Sequence, residues 1–438
     1  RAACQNIRSV LANANVCGEE VVCVCFDAAT HTAVLLDEEF HTLRNAIYWT
    51  DTRSRAQAER LQKEFGEDVF RRFKHRPDTI WTLSQLLWVK ECEPDLWART
   101  KRILFAKDYV RHCFTGDFVT DRIEAQGSML YDYDAEDWST PYLAMLGLTR
   151  KNLPRLLRPL DLTGKILPAA SRDSGLASGT PVICGATDTA MEVFAAGAVE
   201  KGDMTVKLAT AGRICLVTDK LVADEQLVSY SHIADGLYYP GTATKSCAAS
   251  LRWFRDAFGG DYKEFDAMAE KIPAGSGGLV FHPYLNGELT PYGDASLRGG
   301  FTGVSAAHTK AHFARAVMEG VALSLKDCLF YLKMKGYPVS DSAVIIGGGA
   351  KSALWRQIAA DALGIKLITV ENSDSSFGSA MCAGVAAGFF PSLKAAAETC
   401  CKHTSMVMPN EKNVSVYDKL YPRYQKTAVF FGSLAHEG

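Results

Sequence analysis

The sequence predicts an α/β protein of two domains, and three observations support this fold class. The chain has 438 residues, whereas a single hydrophobic core stops growing near ~250–300 residues. Strand-like and helix-like patterns alternate in two separate blocks, as they do in α/β domains. Between the blocks, residues 165–180 are rich in Ser, Gly, Ala and Pro, which is typical of a boundary. We therefore predict a first domain over residues 1–175 and a second over residues 176–438.

The first block begins with a predicted helix and continues with short apolar runs. A helix is expected over Ala2–Asn13. Strands are expected where apolar and β-branched residues cluster, at Val21–Phe26, Thr32–Leu36 and Asn45–Trp49. From Thr52 to about Phe114, apolar residues recur at helical spacing, so this part is predicted to be helical. A sheet edge followed by a helical block indicates an α/β domain.

A second alternation of strands and helices starts with a predicted strand at Pro181–Cys184. A helix follows, and two further strands flank the tight turn Ala209–Gly212. A long amphipathic helix is predicted from Ala311 to about Lys335. In Ala343–Val370 a strand, a glycine-rich loop, a helix and another strand succeed one another. This last unit is the clearest structural signal in the chain.

Composition argues against several classes of protein. Lys and Arg (48) nearly balance Asp and Glu (50), for a net charge of −2, whereas a general nucleic-acid binder needs a basic face. The longest apolar stretch, Ala380–Phe390, is too short to cross the ~30 Å hydrocarbon layer of a membrane. The 13 cysteines are irregularly spaced without a Cys-x-x-Cys pair, which indicates a reduced, cytoplasmic protein.

The glycine-rich loop Gly347–Ala350 is the first candidate ligand site. Its glycines let backbone N–H groups approach a ligand, and the start of the following helix favours an anion. Ala350 separates Gly349 from Lys351, which breaks a Walker A motif. Ser352 stands where a dinucleotide fingerprint needs glycine or alanine. Spacing alone leaves a nucleotide site and a simple packing turn equally open.

Two other turns carry side chains with useful chemistry. Asp188 lies between a strand and a helix, where a carboxylate either caps the helix or acts as a general base at the sheet edge. Taken alone, Asp188 is better explained as the cap. Thr210 and Gly212 lie in a turn between strands, where a hydroxyl and N–H groups hold a phosphate or simply close a hairpin.

The segment WTDTR, residues 49–53, offers groups that suit a sugar. Trp49 presents an apolar plate for a sugar ring, and Asp51 and Arg53 offer directional hydrogen bonds to hydroxyls. The alternative is that Asp51 or Thr52 caps a helix, with an ion pair one turn along that helix.

The order of these signals resembles the FGGY family of carbohydrate kinases, and most closely its xylulokinases. The most specific match is Gly347–Leu367, GGGAKSALWRQIAADALGIKL, which is similar to the C-terminal signature of that family. Further segments also match, namely Ile47–Ser54, Lys107–Asp121, Ile166–Ala190 and Pro283–Ala322. The resemblance covers nearly the whole chain.

The resemblance implies two ribonuclease-H-like domains, as in actin-like ATPases, around a central cleft that closes and excludes water. It implies an ATP-dependent kinase in which Asp188 takes the proton of the attacking sugar hydroxyl and Mg²⁺ bridges the phosphates. The implied nucleotide-binding residues are Thr210, Gly212, Gly347, Gly348, Gly349, Ala350 and Ser352. The implied sugar-binding residues are Thr30, His31, Trp49, Asp51 and Arg53. By itself, His31 is better explained as a satisfied residue at a strand end.

The chain departs from the family pattern at several positions. Thr30-His31-Thr32 stands where xylulokinases have Met-His-Gly, which bears on which sugar is bound. The turn Ala209–Gly212 replaces Gly-Thr-Ser-Gly but keeps the threonine and the final glycine, and Leu289 replaces an arginine. The family opens with an Asp-x-Gly-Thr hairpin whose Asp holds Mg²⁺. No such motif occurs here, so the first domain is expected to lack its N-terminal strands and the metal ligand is unassigned.

We therefore expect an ATP- and Mg²⁺-dependent kinase for a sugar hydroxyl, with a ketopentose such as D-xylulose as acceptor. The alternatives are a kinase for ribulose, gluconate or glycerol, and a non-catalytic sugar- or nucleotide-binding protein on the same fold. A homodimer is expected because family members are often dimers. Nucleic acid and membrane are not expected partners.

Overall fold

The structure, a computed structural model, describes residues 1–221 and 223–436 and alternates helices with short strands. In chain order the helices are α1 (Ala2–Ala14), α2 (Arg55–Phe73), α3 (Thr82–Cys92), α4 (Pro94–Arg99), α5 (Ala106–Thr115), α6 (Arg122–Gly127), α7 (Thr140–Leu146), α8 (Pro168–Ser174), α9 (Asp188–Ala195), α10 (Ala248–Phe258), α11 (Tyr262–Ala269), α12 (Lys310–Met334), α13 (Ala353–Leu363), α14 (Ser375–Ala386), α15 (Leu393–Cys400) and α16 (Glu411–His436). The strands are β1 (Ala33–Leu36), β2 (Arg102–Phe105), β3 (Val119–Asp121), β4 (Tyr131–Asp132), β5 (Asp137–Trp138), β6 (Arg155–Leu157), β7 (Leu162–Lys165), β8 (Pro181–Ile183), β9 (Met204–Leu208), β10 (Gly212–Leu216), β11 (Val280–His282), β12 (Gly300–Thr302), β13 (Ser342–Ile346), β14 (Lys366–Val370) and β15 (His403–Val407).

The second half is built on a five-stranded sheet of order β10-β9-β13-β14-β15. β9 and β10 form an antiparallel hairpin, β13 runs parallel to β9 and β14, and β15 pairs antiparallel with β14. The predicted unit of strand, glycine-rich loop, helix and strand is confirmed as β13, α13 and β14. Because β9 and β13 are parallel neighbours, the turn after β9 and the loop after β13 meet at one edge of the sheet.

Short strand pairs build the first half. β1 pairs antiparallel with β2, β3 pairs parallel with β6, and β7 pairs antiparallel with β8. The extended segment after α1 runs parallel to β8, with bridges from Val24 to Val182 and from Ala28 to Thr187. This segment therefore leads directly to the start of α9.

Three predictions of secondary structure in the first half were wrong. Val21–Phe26 is not a continuous strand, because β8 has three residues and offers too few partners for a ladder. Asn45–Trp49 forms no strand, and within it only Ile47 is buried. β2 interrupts the predicted helical block because its apolar residues pair with β1. An apolar run suggests a strand, but a strand also needs a neighbouring edge, which local sequence does not reveal.

Two large clusters of buried apolar side chains form the main core. One surrounds the five-stranded sheet and includes residues of α12 and α13. The other joins β1, α2 and α3 with α9 and α14, so it contains side chains from both sides of residue 175. The domain division at residue 175 stays a prediction. None of the helices given above is both long enough and apolar enough to span a membrane.

Candidate active site

The hairpin turn and the glycine-rich loop lie against each other at the edge of the five-stranded sheet. A Cβ added to Gly347 would lie 2.8 Å from the carbonyl oxygen of Leu208, and one added to Gly349 would lie 2.8 Å from Leu208 Cδ2. Both glycines are therefore needed for packing. Gly348 is different, because an added Cβ would meet no atom within 4 Å. Its backbone remains open to a ligand.

Backbone hydrogen bonds fix the shape of the hairpin turn. The carbonyl of Thr210 accepts from the N–H of Cys247 at 3.0 Å. The N–H of Gly212 donates to Thr244 Oγ1 at 3.0 Å, so this donor is already occupied. The side chain of Thr210 is exposed. Of the two residues implied to meet the terminal phosphates, Thr210 is thus the better placed to contact a ligand.

Ser352 is the N-cap of α13. Its Oγ accepts from the N–H of Trp355 at 3.0 Å and donates to Asp266 Oδ1 at 2.9 Å. The single hydroxyl proton is therefore used within the protein. Ala350, two residues earlier, is buried. The nucleotide-binding roles implied for these two residues stay predictions.

Asp188 is the first residue of α9, and its carboxylate is half-buried. The N-cap is Thr187, so the capping role favoured for Asp188 from the residues alone was wrong. Asp188 Oδ1 accepts from the N–H of Thr189 at 2.6 Å. Burial raises the pKa of Asp188 and the negative charge of Asp27 adds to the rise, whereas the Thr189 hydrogen bond and the charge of Lys207 oppose it. A partly desolvated carboxylate with a raised pKa is typical of a general base.

Charged side chains of β9 and β10 surround the first turns of α9. Glu192 lies one turn after Asp188 and forms an ion pair with Lys207 of β9. Lys207 stands directly opposite Arg213 of β10. Like charges directly opposite each other on paired strands are destabilising. The negative charges of Glu192 and Asp188 offset the positive charges of Lys207 and Arg213.

His31 is buried against α3 and α6. Its backbone N–H donates to Glu124 Oε1, and its backbone carbonyl accepts from Thr82 Oγ1 at 2.5 Å. The centroid of its imidazole ring lies 5.2 Å from that of Trp81. Burial lowers the pKa of His31 to about 3. The imidazole is therefore neutral near pH 7, and one ring nitrogen can donate while the other accepts. This is the form that suits a neutral sugar hydroxyl.

One backbone hydrogen bond links Asp188 to the segment that leads to His31. The N–H of Asp188 donates to the carbonyl of Ala28 at 3.0 Å, and Ala28 precedes His31 by three residues. Thr30 and His31 also pack on Gly127, where an added Cβ would lie 2.7 Å from Thr30 Cγ2. The structure therefore places Asp188, Thr30 and His31 on adjoining segments.

Trp49, Asp51 and Arg53 lie on an exposed turn before α2. Arg53 binds Asp51 through Nη2 and Oδ2 at 2.7 Å and lies over the ring of Trp88 at 5.0 Å. The N-cap of α2 is Ser54, so the alternative of a cap at Asp51 or Thr52 was wrong. Within residues 1–221 and 223–436, no hydrogen bond, ion pair or ring contact joins Trp49, Asp51 or Arg53 to His31 or Asp188. Their role in a sugar pocket stays a prediction.

Four residues around Asp188 and His31 were missed from the sequence. Asp27 directly follows an apolar extended run, and a carboxylate at such a place was a usable signal. Lys207 is the penultimate residue of a predicted strand that leads into the turn of Thr210. Glu124 and Tyr230 lie in no pattern that points to a site. Burial raises the pKa of Tyr230, and the charges of Glu124 and Asp188 add to the rise.

Comparison with protein families identifies the class of protein. Residues 1–195 match the N-terminal domain of the FGGY family of carbohydrate kinases, and residues 217–387 match its C-terminal domain. The chain belongs to this family. It is a carbohydrate kinase that uses ATP to phosphorylate an alcohol group of a sugar. The fold of two ribonuclease-H-like domains around a cleft, predicted from the resemblance, is confirmed.

Similar proteins bear names that refer to different substrates, namely xylulose, gluconate and glycerol. Over 416 residues the chain is 33% identical to a xylulose kinase of Bacillus subtilis (strain 168), covering 94% of this chain and 83% of that protein. Over 370 residues it is 28% identical to a gluconokinase of the same strain, covering 81% of this chain and 72% of that protein. The solved structure of a xylulose kinase from Rhodospirillum rubrum has a TM-score of 0.90 at 26% identity, covering 99% of this chain and 90% of that one.

Proposed function

We propose that the chain transfers the terminal phosphoryl group of ATP to a hydroxyl of a ketopentose such as D-xylulose, with Asp188 as the general base. The position and environment of Asp188 carry the proposal. Its half-buried carboxylate begins α9, and its backbone is bonded to the segment of His31. Burial raises its pKa, which makes it a better proton acceptor. The similarity to proteins named as xylulose kinases supports a ketopentose as the acceptor substrate.

On the nucleotide side, the sheet edge would hold the phosphates and adenosine of ATP. The exposed hydroxyl of Thr210 and the open backbone at Gly348 are the groups that a nucleotide can reach. Gly347, Gly349 and Ala350 would shape the loop beneath the ligand. Phosphoryl transfer depends mainly on positioning and charge stabilisation, which a loop fixed by close backbone packing provides.

On the acceptor side, the neutral imidazole of His31 would hydrogen-bond a sugar hydroxyl. Because Asp188 and His31 lie on adjoining segments, a hydroxyl held by His31 would direct a neighbouring hydroxyl toward Asp188. Asp188 would then take its proton as the oxygen attacks the phosphoryl group. Trp49, Asp51 and Arg53 would add an apolar plate and polar contacts once a sugar is bound.

Mg²⁺ is the metal that we expect, and oxygen ligands are what it prefers. Asp188 Oδ2 fits as such a ligand, because both hydrogen bonds that Asp188 accepts within the described residues go to Oδ1. Asp27 fits less well, since each of its oxygens already accepts from a serine hydroxyl. When bound, Mg²⁺ would supply charge neutralisation on the phosphates.

A coupled assay of ADP release tests the proposal with the full gene product and D-xylulose, D-ribulose, gluconate or glycerol as acceptor. We expect D-xylulose to give the highest kcat/KM and Asp188→Asn to lower kcat by roughly 10²–10⁴-fold. Asp173→Asn is the matched control, because Asp173 is an exposed carboxylate of α8, and it should leave kcat unchanged. Full activity of Asp188→Asn, or no turnover of any acceptor by the unsubstituted protein, would refute the proposal.

The predicted homodimer and cytoplasmic location are separate proposals. Both come from the sequence and its family resemblance rather than from a contact within this chain. Light scattering of the purified protein at micromolar concentration tests the first, and a dimer mass is the expected result.

A further inference from the structure

Helix α6 joins the segment of His31 to the segment that follows β10. Gln126 Nε2 donates to Ser231 Oγ at 2.7 Å, and the backbone N–H of Ser231 donates to Gln126 Oε1 at 2.8 Å. In the same helix, Glu124 accepts from the backbone N–H of His31, and Gly127 lies against the side chain of His31. One short helix therefore holds residue 231 close to the histidine that we propose for the sugar.

Ring contacts make the same connection from another direction. The ring of His31 lies 5.2 Å from that of Trp81, centroid to centroid. Trp81 stacks on His75 at 4.7 Å, and the ring of His75 lies 5.7 Å from that of Tyr230. Tyr230 directly precedes Ser231. The rings on one side and α6 on the other therefore hold Tyr230 near His31.

Tyr230 is also connected to the side of the site where α9 begins. Its carbonyl accepts from the N–H of Tyr239 at 2.9 Å, and the two rings lie 5.9 Å apart. The guanidinium of Arg213 in β10 lies 6.0 Å from the ring of Tyr239. Arg213 stands directly opposite Lys207, which forms the ion pair with Glu192 of α9. Tyr230 thus lies between the segment of His31 and the helix that carries the proposed base.

The hydroxyl of Tyr230 is open to a ligand. It makes no hydrogen bond with any group in residues 1–221 and 223–436. The hydroxyls of Tyr239 and Tyr337 also lack a partner in these residues, but they are fully buried, whereas the hydroxyl of Tyr230 is not. Only 5% of Tyr230 is exposed, so this small exposed part includes the hydroxyl. A buried tyrosine usually offers its hydroxyl to a hydrogen-bonding partner, and here that partner must come from outside the chain.

We propose that Tyr230 is a further substrate-binding residue, whose hydroxyl forms a hydrogen bond with an oxygen of the acceptor sugar. The inference rests on the proposed function and adds a contact to it. A phenol both donates and accepts, so it suits a hydroxyl or a carbonyl oxygen. His31 lies in the part of the chain that matches the N-terminal family domain, and Tyr230 lies in the part that matches the C-terminal one. The sugar is then held by residues of both parts.

The test compares Tyr230→Phe with the unsubstituted protein, using D-xylulose or whichever acceptor gives the highest kcat/KM. Phenylalanine keeps the ring and its contacts but lacks the hydroxyl. We expect the Kd of the acceptor, measured by calorimetry without nucleotide, and its KM to rise about three- to tenfold, as for the loss of one neutral hydrogen bond. KM for ATP should stay the same. The free energy of unfolding should also stay the same, because the hydroxyl has no partner within the described residues.

Tyr337→Phe is the matched control. Tyr337 is also a buried tyrosine whose hydroxyl lacks a partner among the described residues, but it packs in the cluster around the five-stranded sheet. This variant should keep the Kd and both KM values. An active Tyr230→Phe protein with an unchanged Kd for the acceptor, or with equal rises in both KM values, would overturn the inference alone. Absence of turnover with every acceptor would instead refute the proposed function, and the inference with it.

A spectroscopic measurement separates direct contact from an effect passed on through the neighbouring rings. The chemical shift of tyrosine Cζ, observed by carbon NMR of protein with labelled tyrosine, reports hydrogen bonding of the phenol. The signal of Tyr230 is assigned by its loss in Tyr230→Phe. Saturating acceptor should shift this signal and leave that of Tyr337 in place. A Tyr230 signal that does not move in sugar-saturated protein would contradict the inference.

Discussion

At the scale of the residue, the absence of a side chain at Gly127 makes room for Thr30 and His31, the residues proposed to bind the sugar. It ends α6, and an added Cβ would lie 2.7 Å from Thr30 Cγ2 and 2.8 Å from His31 Cδ2. Real Cβ atoms do not approach so closely, so any larger residue here would displace the Thr30–His31 pair. His31 adopts a positive φ of 50°, a conformation that non-glycine residues hold only when their surroundings impose it. Gly127 and Glu124 supply those surroundings.

Gly127→Ala should therefore weaken acceptor binding selectively. We expect KM for the sugar to rise about tenfold or more, because a displacement of about 1 Å misaligns a hydrogen-bonding group, while KM for ATP changes little. Steady-state kinetics with each substrate varied in turn measures both constants. Gly432→Ala is the control, since its added Cβ would meet only an ordinary contact at 3.7 Å. An equal rise in both KM values would contradict this account.

At the scale of the element, the segment Lys107–Asp121, which resembles the FGGY family, holds a network of buried ion pairs. Lys107 Nζ lies 2.6 Å from Asp108 Oδ1 and 2.9 Å from Asp121 Oδ2, and all three side chains are fully buried. Arg111 Nη1 binds Asp108 at 2.7 Å and donates to the carbonyl of Cys184 at 2.8 Å. Cys184 follows β8 and precedes Asp188 by four residues. The network of ion pairs thus holds, through Arg111, the turn that leads to the proposed base.

Asp121→Asn should destabilise the protein by roughly 3–5 kcal/mol, because it leaves Lys107 with less buried negative charge. Asp121 also caps α6 by accepting from Ile123 and Glu124, and asparagine keeps that function. The free energy of unfolding, from denaturant titration, measures the effect. Asp261→Asn is the control, because Asp261 caps α11 in the same way but is exposed. Similar losses for both variants would show that charge burial is unimportant here.

At the scale of the whole molecule, the four histidines that are buried within the described part of the chain make stability depend on pH. Burial lowers the pKa of His31 to about 3 and those of His75, His232 and His282 to about 4. In the unfolded chain each histidine titrates near ~6.5. The unfolded state therefore binds more protons as the pH falls below about 6.5. Stability contributed by the neutral rings is present above that pH and is lost progressively toward about pH 4.

His282→Phe should reduce this acid sensitivity. Its ring is stacked on Tyr424 at 4.4 Å, which phenylalanine can imitate, and its Nε2 contacts the carbonyl of Tyr424 at 3.0 Å. Losing that hydrogen bond should cost about 1 kcal/mol at pH 7.5. Between about pH 6 and pH 5, however, the variant should lose about 1.4 kcal/mol less per pH unit than the unsubstituted protein.

Denaturant titrations at several pH values measure the two slopes of unfolding free energy against pH. His403→Asn serves as the control, because His403 is exposed on β15 and makes no ion pair with the residues that the structure describes, and it should leave the slope unchanged. Parallel slopes for His282→Phe and the unsubstituted protein would show that His282 does not contribute.

Regular runs in the second half allowed part of its secondary structure to be predicted. Nothing in the sequence analysis predicted α10, α11, α14, α15, α16, β11, β12 or β15. β9, β10, β13, α13 and β14 each follow one continuous apolar pattern, and the glycines at Gly347 and Gly349 mark where two of these elements approach. Val21–Phe26 and Asn45–Trp49 have equally apolar patterns but lack a long neighbouring strand. The first half was therefore less predictable, because its strands are short and depend on distant partners.

The sequence by itself determined the family, the kinase class and the identity of Asp188 as the candidate base, because each motif is a set of residues adjacent in the chain. Only the tertiary structure decided that Thr187 caps α9, that Gly127 seats His31, and that Trp49 lies on an exposed turn. It also decided which charges surround Asp188. Asp27 and Ser375 are 348 positions apart, and no local pattern predicts that such a pair meets, because contact across that separation exists only after both halves have folded around a shared core.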